Sequence, residues 1–368
     1  MILPSVRFLH TADWQLGMRR HFLGEEALPR FQQARIDAIR SLGRLARAER
    51  CAFLVVAGDV FESNQIDRTT LRRAVEALRE VELPVYLLPG NHDPLDAATI
   101  FTAEHFADAP NVHVLDGIVE VMPGVDLVGV PWPNKRPRRD LVADAIRALE
   151  PAPQRLRIVV GHGMVDTLSP DRNDPARIAL APMQQAIDDG HVHFVALGDR
   201  HSFTEVAPRI YYAGAPEPTD YDEEASGTAL IAEIDATRCE VSRHDVGTWT
   251  FRRTAHALDS GEDVAALADE LAALPAKERT ILKLSFEGAL SLADRARLDA
   301  TLDQARETFA AVEIWSRHTD LVVRPDAADL ADLDLSGFAR TTLEALDAAG
   351  DTEALALLYR LARPEATA

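Results

Sequence analysis

The sequence has few cysteines and a deficit of basic residues. Only Cys51 and Cys239 occur among 368 residues, so neither a disulfide framework nor a cysteine-based metal site is expected. A reducing cytoplasm is the simplest compartment for such a chain. The 59 aspartates and glutamates outnumber the 39 lysines and arginines, which gives a formal charge of −20. Because phosphate binding needs cationic surface, this balance at first argues against a nucleic acid partner.

Long apolar runs and sorting signals are also missing. No apolar run approaches the roughly 18 residues of a membrane helix. The N-terminus lacks a basic stretch followed by a long apolar one, and the chain contains no internal repeat or low-complexity segment. We therefore expect a globular, cytoplasmic protein without a membrane partner.

The acidic charge is unevenly distributed along the chain. Residues 1–150 hold 18 basic and 21 acidic residues, a net −3, whereas residues 151–368 hold 21 and 38, a net −17. The charge of the whole chain is therefore a poor guide to any one site. Because single cores stop growing at roughly 250–300 residues, we expect one large domain and one or two small ones.

The first 250 residues alternate buried strands with helices. Apolar residues at helical spacing predict helices over 27–49 and 67–81, and short apolar runs predict strands. This order predicts an α/β sheet with helices on its faces, followed by a hairpin over 228–235 and 240–244. The predicted strands are Val6–Ala12, Phe53–Ala57, Val85–Leu88, Leu127–Val130, Ile158–Val160 and Phe194–Leu197.

The pattern restarts after about residue 250, which indicates a small α/β unit of its own. Helix, strand, helix and strand are predicted in turn over residues 261–274, 280–286, 293–309 and 311–315. The tail, residues 332–363, is predicted to form two helices, with Gly350 ending the first and Asp351 capping the second. We therefore divide the chain into three parts: residues 1–250, 251–325 and 326–368.

Five polar clusters directly follow predicted strands. Ligands of open α/β sheets bind beyond the carboxyl ends of strands, so these clusters indicate one shared site. Their carboxylates, imidazoles and amides suit Mn²⁺ or Mg²⁺ better than Zn²⁺ or Fe. A single His or Asp after a strand is usually a cap or turn residue, but five together are poorly explained by turn chemistry. The clusters are Asp13–Gln15, Gly58–Phe61, Gly90–Asp93, Gly161–Gly163 and Gly198–His201.

These clusters resemble the motifs of the calcineurin-like metallophosphoesterases, which run Asp-x-His, Gly-Asp, Gly-Asn-His-Asp/Glu, Gly-His and Gly-His-x-His. More narrowly, the sequence is similar to the SbcD-type DNA double-strand-break repair nucleases. That similarity rests on Leu9–Gly17, Gly58–Phe61 and Tyr212–Pro218 and covers about residues 6–220. The resemblance implies a β-sandwich flanked by helices, a small α/β cap domain and C-terminal helices.

The resemblance also implies two divalent metal ions, Mn²⁺ before Mg²⁺, Fe or Zn²⁺, and a catalytic His92. Such a pair of cations clamps the attacking and leaving oxygens of a phosphate ester and activates water. His92 is implied to bind no metal and to protonate the leaving oxygen. The implied ligands are Asp13, Gln15, Asp59 and His201 for one ion and Asp59, Asn91, His162 and Asp199 for the other.

The sequence departs from the family pattern at two of these ligand positions. Gln15 stands where the family usually has a histidine, and Asp199 stands where the first histidine of Gly-His-x-His belongs. Replacing two imidazoles with oxygen donors favours Mn²⁺ or Mg²⁺ over Zn²⁺ and makes bound water less acidic. We therefore predict Mn²⁺-dependent activity with an alkaline-shifted pH optimum.

Basic residues near the motifs are candidate nucleic-acid contacts. Four cations follow Trp132 within a few positions, which fits a phosphate-gripping loop with a base-stacking tryptophan. A solvated helix start with a packed tryptophan fits equally well. Two arginines after the first motif either contact DNA or solvate a loop. The candidate contacts are Lys135, Arg136, Arg138, Arg139, Arg19 and Arg20.

The leading hypothesis is a Mn²⁺-dependent DNA exonuclease or endonuclease subunit acting in repair or recombination. The resemblance implies an SbcC/Rad50-type ATPase partner at the tail and a homodimer through helix 27–49 or 67–81. One alternative is a phosphoesterase of nucleotides or other small phosphodiesters. Another is a DNA-binding or scaffold subunit with a weakened site, which only Gln15 and Asp199 support.

Overall fold

The structure is a computed structural model that describes residues 3–323, 337–351, 354–355 and 357–358. The chain divides into two units, one of residues 1–21 and 28–250 and the other of residues 22–27 and 251–368. None of the helices in the described part is long and apolar enough to cross a membrane.

Two six-stranded sheets form the larger unit. Its strands are β1 (Val6–Thr11), β2 (Leu54–Val56), β3 (Val85–Leu87), β4 (Val112–Val114), β5 (Ile118–Met122), β6 (Val125–Gly129), β7 (Leu156–His162), β8 (Phe194–Gly198), β9 (Thr204–Ala207), β10 (Ile210–Tyr212), β11 (Thr228–Ile234) and β12 (Cys239–Asp245). The first sheet has the order β12-β11-β1-β2-β3-β4 and the second β5-β6-β7-β8-β10-β9. Strands β1 to β4 pair in parallel, as do β6, β7, β8 and β10.

The two sheets pack face to face around a shared core. Phe8 of the first sheet stacks on Phe53 and meets Phe194 of the second sheet edge-on, with ring centroids 5.3 Å apart in both pairs. Val55 and Ile158 belong to the same buried cluster. Because the central parallel strands are buried on both faces, they have continuous apolar runs rather than alternation.

Helices cover the outer face of each sheet. Helices α1 (Ala27–Ala48) and α2 (Arg68–Arg79) pack on the first sheet, and α3 (Leu141–Arg147) and α4 (Leu180–Asp188) on the second. Asp67 caps α2 by accepting the N–H groups of Thr69 and Thr70. The helix–sheet–sheet–helix order confirms the predicted α/β sandwich flanked by helices.

The smaller unit has a four-stranded sheet with helices on one face. Its elements are β13 (Thr250–Leu258), α5 (Gly261–Ala273), β14 (Thr280–Leu290), α6 (Leu292–Thr308), β15 (Ala311–Ile314), β16 (Asp320–Val323) and α7 (Phe338–Ala349). Strand β14 pairs in parallel with β15 and then with β16. Leu267 of α5 and Leu302 of α6 pack against Leu284.

The tail follows the sequence prediction where it is described. Helix α7 ends before Gly350, which has φ +68°, a conformation that glycine adopts at helix ends. The Asp351 carboxylate accepts the N–H of Ala354 at 3.0 Å, as an N-cap does. Most of the predicted second tail helix, and residues 332–336 before α7, lie outside the described residues.

Candidate metal centre

The side chains predicted as metal ligands lie together at one edge of the sandwich. They lie at or just after the carboxyl ends of β1, β2, β3, β7 and β8. These side chains meet because parallel strands bring their carboxyl ends to the same edge. Three of them, Asp13, Asp59 and His162, are buried and offer ligand atoms within 4.8 Å of one another. The full set is Asp13, Gln15, Asp59, Asn91, His162, Asp199 and His201.

His162 presents one ring nitrogen to oxygen ligands. Its Nδ1 lies 2.8 Å from the carbonyl oxygen of Ala57, a contact that requires an N–H on that nitrogen. Its Nε2 faces Asn91 Oδ1 at 2.9 Å, Asp59 Oδ1 at 3.4 Å and Asp199 Oδ1 at 3.7 Å. Burial lowers the pKa of His162, but the nearby carboxylates outweigh it and raise that pKa, so without a metal ion Nε2 also carries a hydrogen, which a cation would replace. A backbone acceptor that fixes the tautomer in this way is typical of metal-binding histidines.

His201 is held by a second carboxylate. Its Nδ1 lies 2.9 Å from Glu223 Oε1 and 2.7 Å from Thr219 Oγ1, and the other Glu223 oxygen accepts the Thr219 N–H at 2.9 Å. This leaves Nε2 facing the candidate metal centre, 4.0 Å from Asp13 Oδ1. A carboxylate that orients a ligating imidazole raises its basicity. Glu223 was not predicted, because sequence alone does not show that its loop returns to His201.

Gln15 occupies the position where the family pattern has a histidine. Gln15 is 2% exposed, and its side-chain Nε2 lies 3.2 Å from His201 Nε2. Its Oε1 is buried and has no hydrogen-bond partner among the described residues. A buried amide oxygen without a donor is costly, so this atom suits a cation.

The backbone is strained at four of the candidate ligands. Asp13 (φ +55°), Gln15 (φ +45°), Asp59 (φ +50°) and Asp199 (φ +95°) have left-handed conformations, each of which costs roughly 1–3 kcal/mol. Hydrogen bonds between neighbouring strand ends impose these conformations, such as Asp13 N–H to the Gly58 carbonyl at 3.0 Å. Such strain concentrates at functional sites.

Two glycines allow the strand ends to approach each other. A Cβ on Gly58 would lie 2.0 Å from His162 Nδ1, and a Cβ on Gly198 would lie 1.9 Å from the Ala57 carbonyl oxygen. Any larger residue would force these loops apart. The glycines in the Gly-Asp motifs therefore bring the imidazole and carboxylates within reach of one ion.

Within the described residues, the buried carboxylates have histidine neighbours but form no ion pair with a lysine or arginine. Burial raises the pKa of Asp13 to about 7 and also raises that of Asp199. Burial acts in the same direction on Asp59, but His162 and His92 outweigh it and lower the pKa of Asp59. In the described part of the chain, neither lysine nor arginine forms an ion pair with these three side chains. Crowded negative charge of this kind, with two imidazoles and an unpartnered amide oxygen, fits divalent cations.

His92 lies beside this cluster but is more accessible. Its backbone N–H donates to Asp59 Oδ1 at 2.9 Å, and its Nδ1 lies 3.1 Å from the Glu62 carbonyl oxygen. Its side chain is 38% exposed, and Nε2 is 3.9 Å from Asp59 Oδ2. Asp93, which is fully buried, accepts the N–H groups of Phe61 and Gly90 at 2.8 Å and so ties the two loops together.

A buried arginine that the sequence did not single out links two loops of the site. Arg35 of α1 is 2% exposed and donates to the carbonyl oxygens of Glu217 at 3.2 Å and Pro218 at 2.8 Å. Burial lowers its pKa to about 10. The segment that it holds continues into Thr219, which contacts His201.

The candidate nucleic-acid contacts differ in their exposure and in their partners. Within the described residues, Lys135, Arg136 and Arg138 are exposed and form no ion pair, whereas Arg139 lies 3.4 Å from Asp144. Arg19 is exposed. Arg20 is engaged elsewhere, since it donates to the Thr219 carbonyl oxygen and lies 3.6 Å from Asp220.

Trp132 is packed rather than available for stacking on a base. It is 8% exposed, and its indole N–H donates to the His162 carbonyl oxygen at 2.6 Å. Of the two interpretations that the sequence left open, the packed tryptophan is right. Trp132 supports the strand end that carries His162.

Comparison with known proteins gives the following similarities. A model described as calcineurin-like phosphoesterase matches residues 6–203. The SbcD component of the nuclease SbcCD of Rhodobacter capsulatus is 33% identical over 127 residues, 33% of this chain and 29% of that protein. The DNA double-strand break repair protein Mre11 of Methanococcus maripaludis is 33% identical over 91 residues, 24% and 23% of the two chains.

A longer match extends over more of the chain. The SbcD component of the nuclease SbcCD of Escherichia coli K12 is 24% identical over 261 residues, 59% of this chain and 62% of that protein. The chain thus matches less than two thirds of the length of each of these three relatives.

Proposed function

The chain belongs to the calcineurin-like phosphoesterases, and on that basis we propose that it is a metal-dependent DNA exonuclease or endonuclease. One observation carries this proposal: the buried cluster of Asp13, Asp59 and His162 lies beside the accessible imidazole of His92. The names of the relatives, two of them nucleases and one a DNA double-strand break repair protein, support DNA as the substrate.

We assign Asp59 to both cation positions, as the family resemblance implies, and its proximity to both Asp13 and His162 supports this. Asp13, Gln15 and His201 would complete one position. Asn91, His162 and Asp199 would complete the other. When bound, two divalent cations polarise a phosphodiester and lower the pKa of water. Oxygen donors outnumber imidazoles in this set, which supports Mn²⁺ or Mg²⁺ as the ion and an alkaline optimum.

His92 is the proposed general acid. Its Nδ1–H donates to the Glu62 carbonyl oxygen, so a protonated ring presents its second N–H from Nε2. That nitrogen is close to Asp59 Oδ2, at the edge of the carboxylate cluster. From there it can hydrogen-bond a phosphate oxygen and give a proton to the leaving oxygen.

Lys135, Arg136, Arg138 and Arg19 are the proposed phosphate contacts outside the metal centre. They are exposed side chains in a protein of −20 formal charge. They would therefore supply a local positive electrostatic potential in a chain whose net charge is negative. Arg20 and Arg139 also remain in the proposal, but each already has a carboxylate neighbour.

We further propose that the chain works as a homodimer with an SMC-like ATPase in the cytoplasm. Two relatives are named as parts of a nuclease complex. The proposed division of labour gives residues 1–250 the hydrolysis, residues 251–325 a capping role and residues 326–368 the ATPase contact. Phe338, at the start of α7, is 87% exposed, which supports a partner at the tail.

The test is cleavage of single- and double-stranded oligonucleotides with Mn²⁺, with and without a candidate ATPase. We expect cleavage that Zn²⁺ alone supports less well. His92→Ala should bind Mn²⁺ as the parent does and lose cleavage, and undiminished cleavage would refute the role of His92. Turnover of nucleotides without turnover of oligonucleotides would favour the small-phosphodiester alternative. DNA binding without metal binding would favour a scaffold.

A further inference from the structure

The two candidate cation positions differ in how their ligands are arranged. The first, which we call the His162 position, consists of Asp59, Asn91, His162 and Asp199. The second, the Gln15 position, consists of Asp13, Gln15, Asp59 and His201. The difference lies in what faces the imidazole Nε2: oxygen atoms that can bind a cation at the first position, and an amide N–H group that cannot at the second.

At the His162 position the ligands are arranged for a cation. The fully buried His162 side chain turns Nε2 toward three oxygen atoms at 2.9, 3.4 and 3.7 Å, and a backbone carbonyl holds its other nitrogen. Trp132 supports the same strand end through the His162 carbonyl oxygen. A cation entering here needs little rearrangement of side chains, which favours tight binding.

At the Gln15 position the imidazole is engaged by a neighbour. Glu223 and Thr219 hold Nδ1 of His201, and Gln15 Nε2 lies 3.2 Å from its Nε2. A cation binding there has to break the contact between Gln15 and His201. The Gln15 amide must also turn its unpartnered, buried Oε1 toward the ion. A neutral amide oxygen is a weaker ligand for Zn²⁺ than an imidazole nitrogen.

We propose that the two positions fill in order, with a tightly held ion at the His162 position and a weaker, oxygen-preferring ion at the Gln15 position. This proposal rests on the proposed two-ion function and adds how the free Mn²⁺ concentration regulates it. The rate of hydrolysis should rise with the Mn²⁺ concentration across the range in which the Gln15 position fills. Gln15 is then the residue that sets the affinity and the selectivity of the second ion.

The test is calorimetric titration of the metal-stripped full-length chain with Mn²⁺ and, separately, with Zn²⁺, without any substrate. We expect two binding events for Mn²⁺ whose dissociation constants differ at least about ten-fold. Gln15→His should tighten the weaker Zn²⁺ event about ten-fold or more and the weaker Mn²⁺ event less. Two equal events in the parent chain, or a Gln15→His variant with unchanged constants, would overturn the proposal.

Two further variants make the assignment specific. Asn91→Ala should weaken the tight event and leave the weak one unchanged, and the reverse result would contradict the order of filling. Gln185→His adds an imidazole at an exposed site on α4 and should change neither event. Circular dichroism checks that each variant is folded. Because the readout is binding alone, the order of filling can hold even if DNA cleavage fails.

Discussion

Buried charged side chains lie at both ends of strand β7, and the two ends differ in the partners of these side chains. At its start, Asp126 of the neighbouring strand accepts two hydrogen bonds from Arg155 and lies 3.8 Å from Arg157. At its carboxyl end, His162 faces Asp59 and Asp199, and these carboxylates have no lysine or arginine partner in the described ranges. Charge paired within the chain stabilises the fold, whereas crowded charge of one sign is suited to a cation from solution.

Positive φ angles occur at both ends of the strands. Before strands, they are found at Gly124 and Gly190 but also at Arg50 and Arg209. At the carboxyl ends, they fall on three candidate metal ligands, Asp13, Asp59 and Asp199. The strained backbone of these three residues therefore coincides with the site.

The largest expected effect comes from neutralising one carboxylate at each end. Asp59→Asn should lower phosphodiester hydrolysis by about 10³-fold or more, because it removes the ligand that we propose is shared by both cation positions. It should destabilise the metal-free protein only slightly, because it relieves repulsion with Asp13 and Asp93 but also removes the attraction to His162 that lowers the pKa of Asp59. Cleavage rates and urea unfolding of the metal-free protein measure the two effects.

Asp126→Asn is the matched change at the other end. It should destabilise the fold by about 1–3 kcal/mol, because it weakens hydrogen bonds from charged arginines, and it should leave the rate of hydrolysis nearly unchanged. If the two variants lost activity and stability alike, the contrast between the two ends would be wrong.

A smaller effect is expected from adding a methyl group at a glycine of each end. Gly198→Ala would place Cβ 1.9 Å from the Ala57 carbonyl oxygen, and we expect a loss of about 3 kcal/mol with lower metal affinity. Gly124→Ala would meet Pro4 at 3.4 Å and the Gln154 carbonyl oxygen at 3.9 Å, so its φ of +81° is the main penalty, about 1 kcal/mol. Chemical denaturation of both variants tests this order, which equal losses would contradict.

Removing the charge that orients His201 should have a moderate effect. Glu223→Gln keeps the size of the side chain but weakens the hydrogen bond to Nδ1, so Mn²⁺ affinity at the weaker position should fall about ten-fold. Glu224→Gln, at the exposed neighbour, is the matched control and should leave affinity unchanged. Calorimetry of both variants decides whether Glu223 acts through His201.

The smallest expected effect is a pH dependence of stability in the metal-free protein. Burial lowers the pKa of His201, but the Glu223 hydrogen bond and nearby carboxylates raise it overall to about 9. Its stabilising contribution is complete below the unfolded value of about 6.5 and is lost as the pH rises toward 9. Burial also raises the pKa values of Asp13 and Asp93 to about 7 and about 8, so their ionisation lowers stability as the pH rises from about 4 to these values, which overlaps the lower part of this range.

The metal-free protein should therefore lose a few degrees of Tm between pH 6.5 and 9, and saturating Mn²⁺ should reduce that loss. Asp126→Asn should keep the same pH slope, because Asp126 lies at the other end. Thermal unfolding monitored by circular dichroism in metal-free buffers measures the slope. A Tm that rises with pH in this window would contradict the assignment of the raised pKa values.

Much of the fold could be read from the sequence because its central strands are unbroken apolar runs. Strands β4, β5, β9, β13 and β16 were missed because they are only partly buried, and β10 was missed because its buried run has three residues. Helices α3 and α4 were missed as well, because each covers only two or three turns and their apolar spacing repeats too few times.

The candidate ligands were predictable for a different reason. Motifs such as Gly90–Asp93 are local in sequence, and parallel strands must bring their carboxyl ends to one edge. The supporting residues were not predictable. Glu223, Arg35 and Trp132 act through contacts with residues that are distant in the chain, and no spacing rule connects them.

The sequence by itself determined the α/β class and the order of the central elements, because both depend on patterns within short segments, and the resemblance of its short motifs to a known family indicated the candidate metal ligands. Only the tertiary structure decided which nitrogen of His162 and His201 faces the centre, that Gln15 contacts His201, and that Trp132 is packed. Those features depend on distances between segments far apart in the chain, which are fixed only when the sheets pack and the strand ends meet.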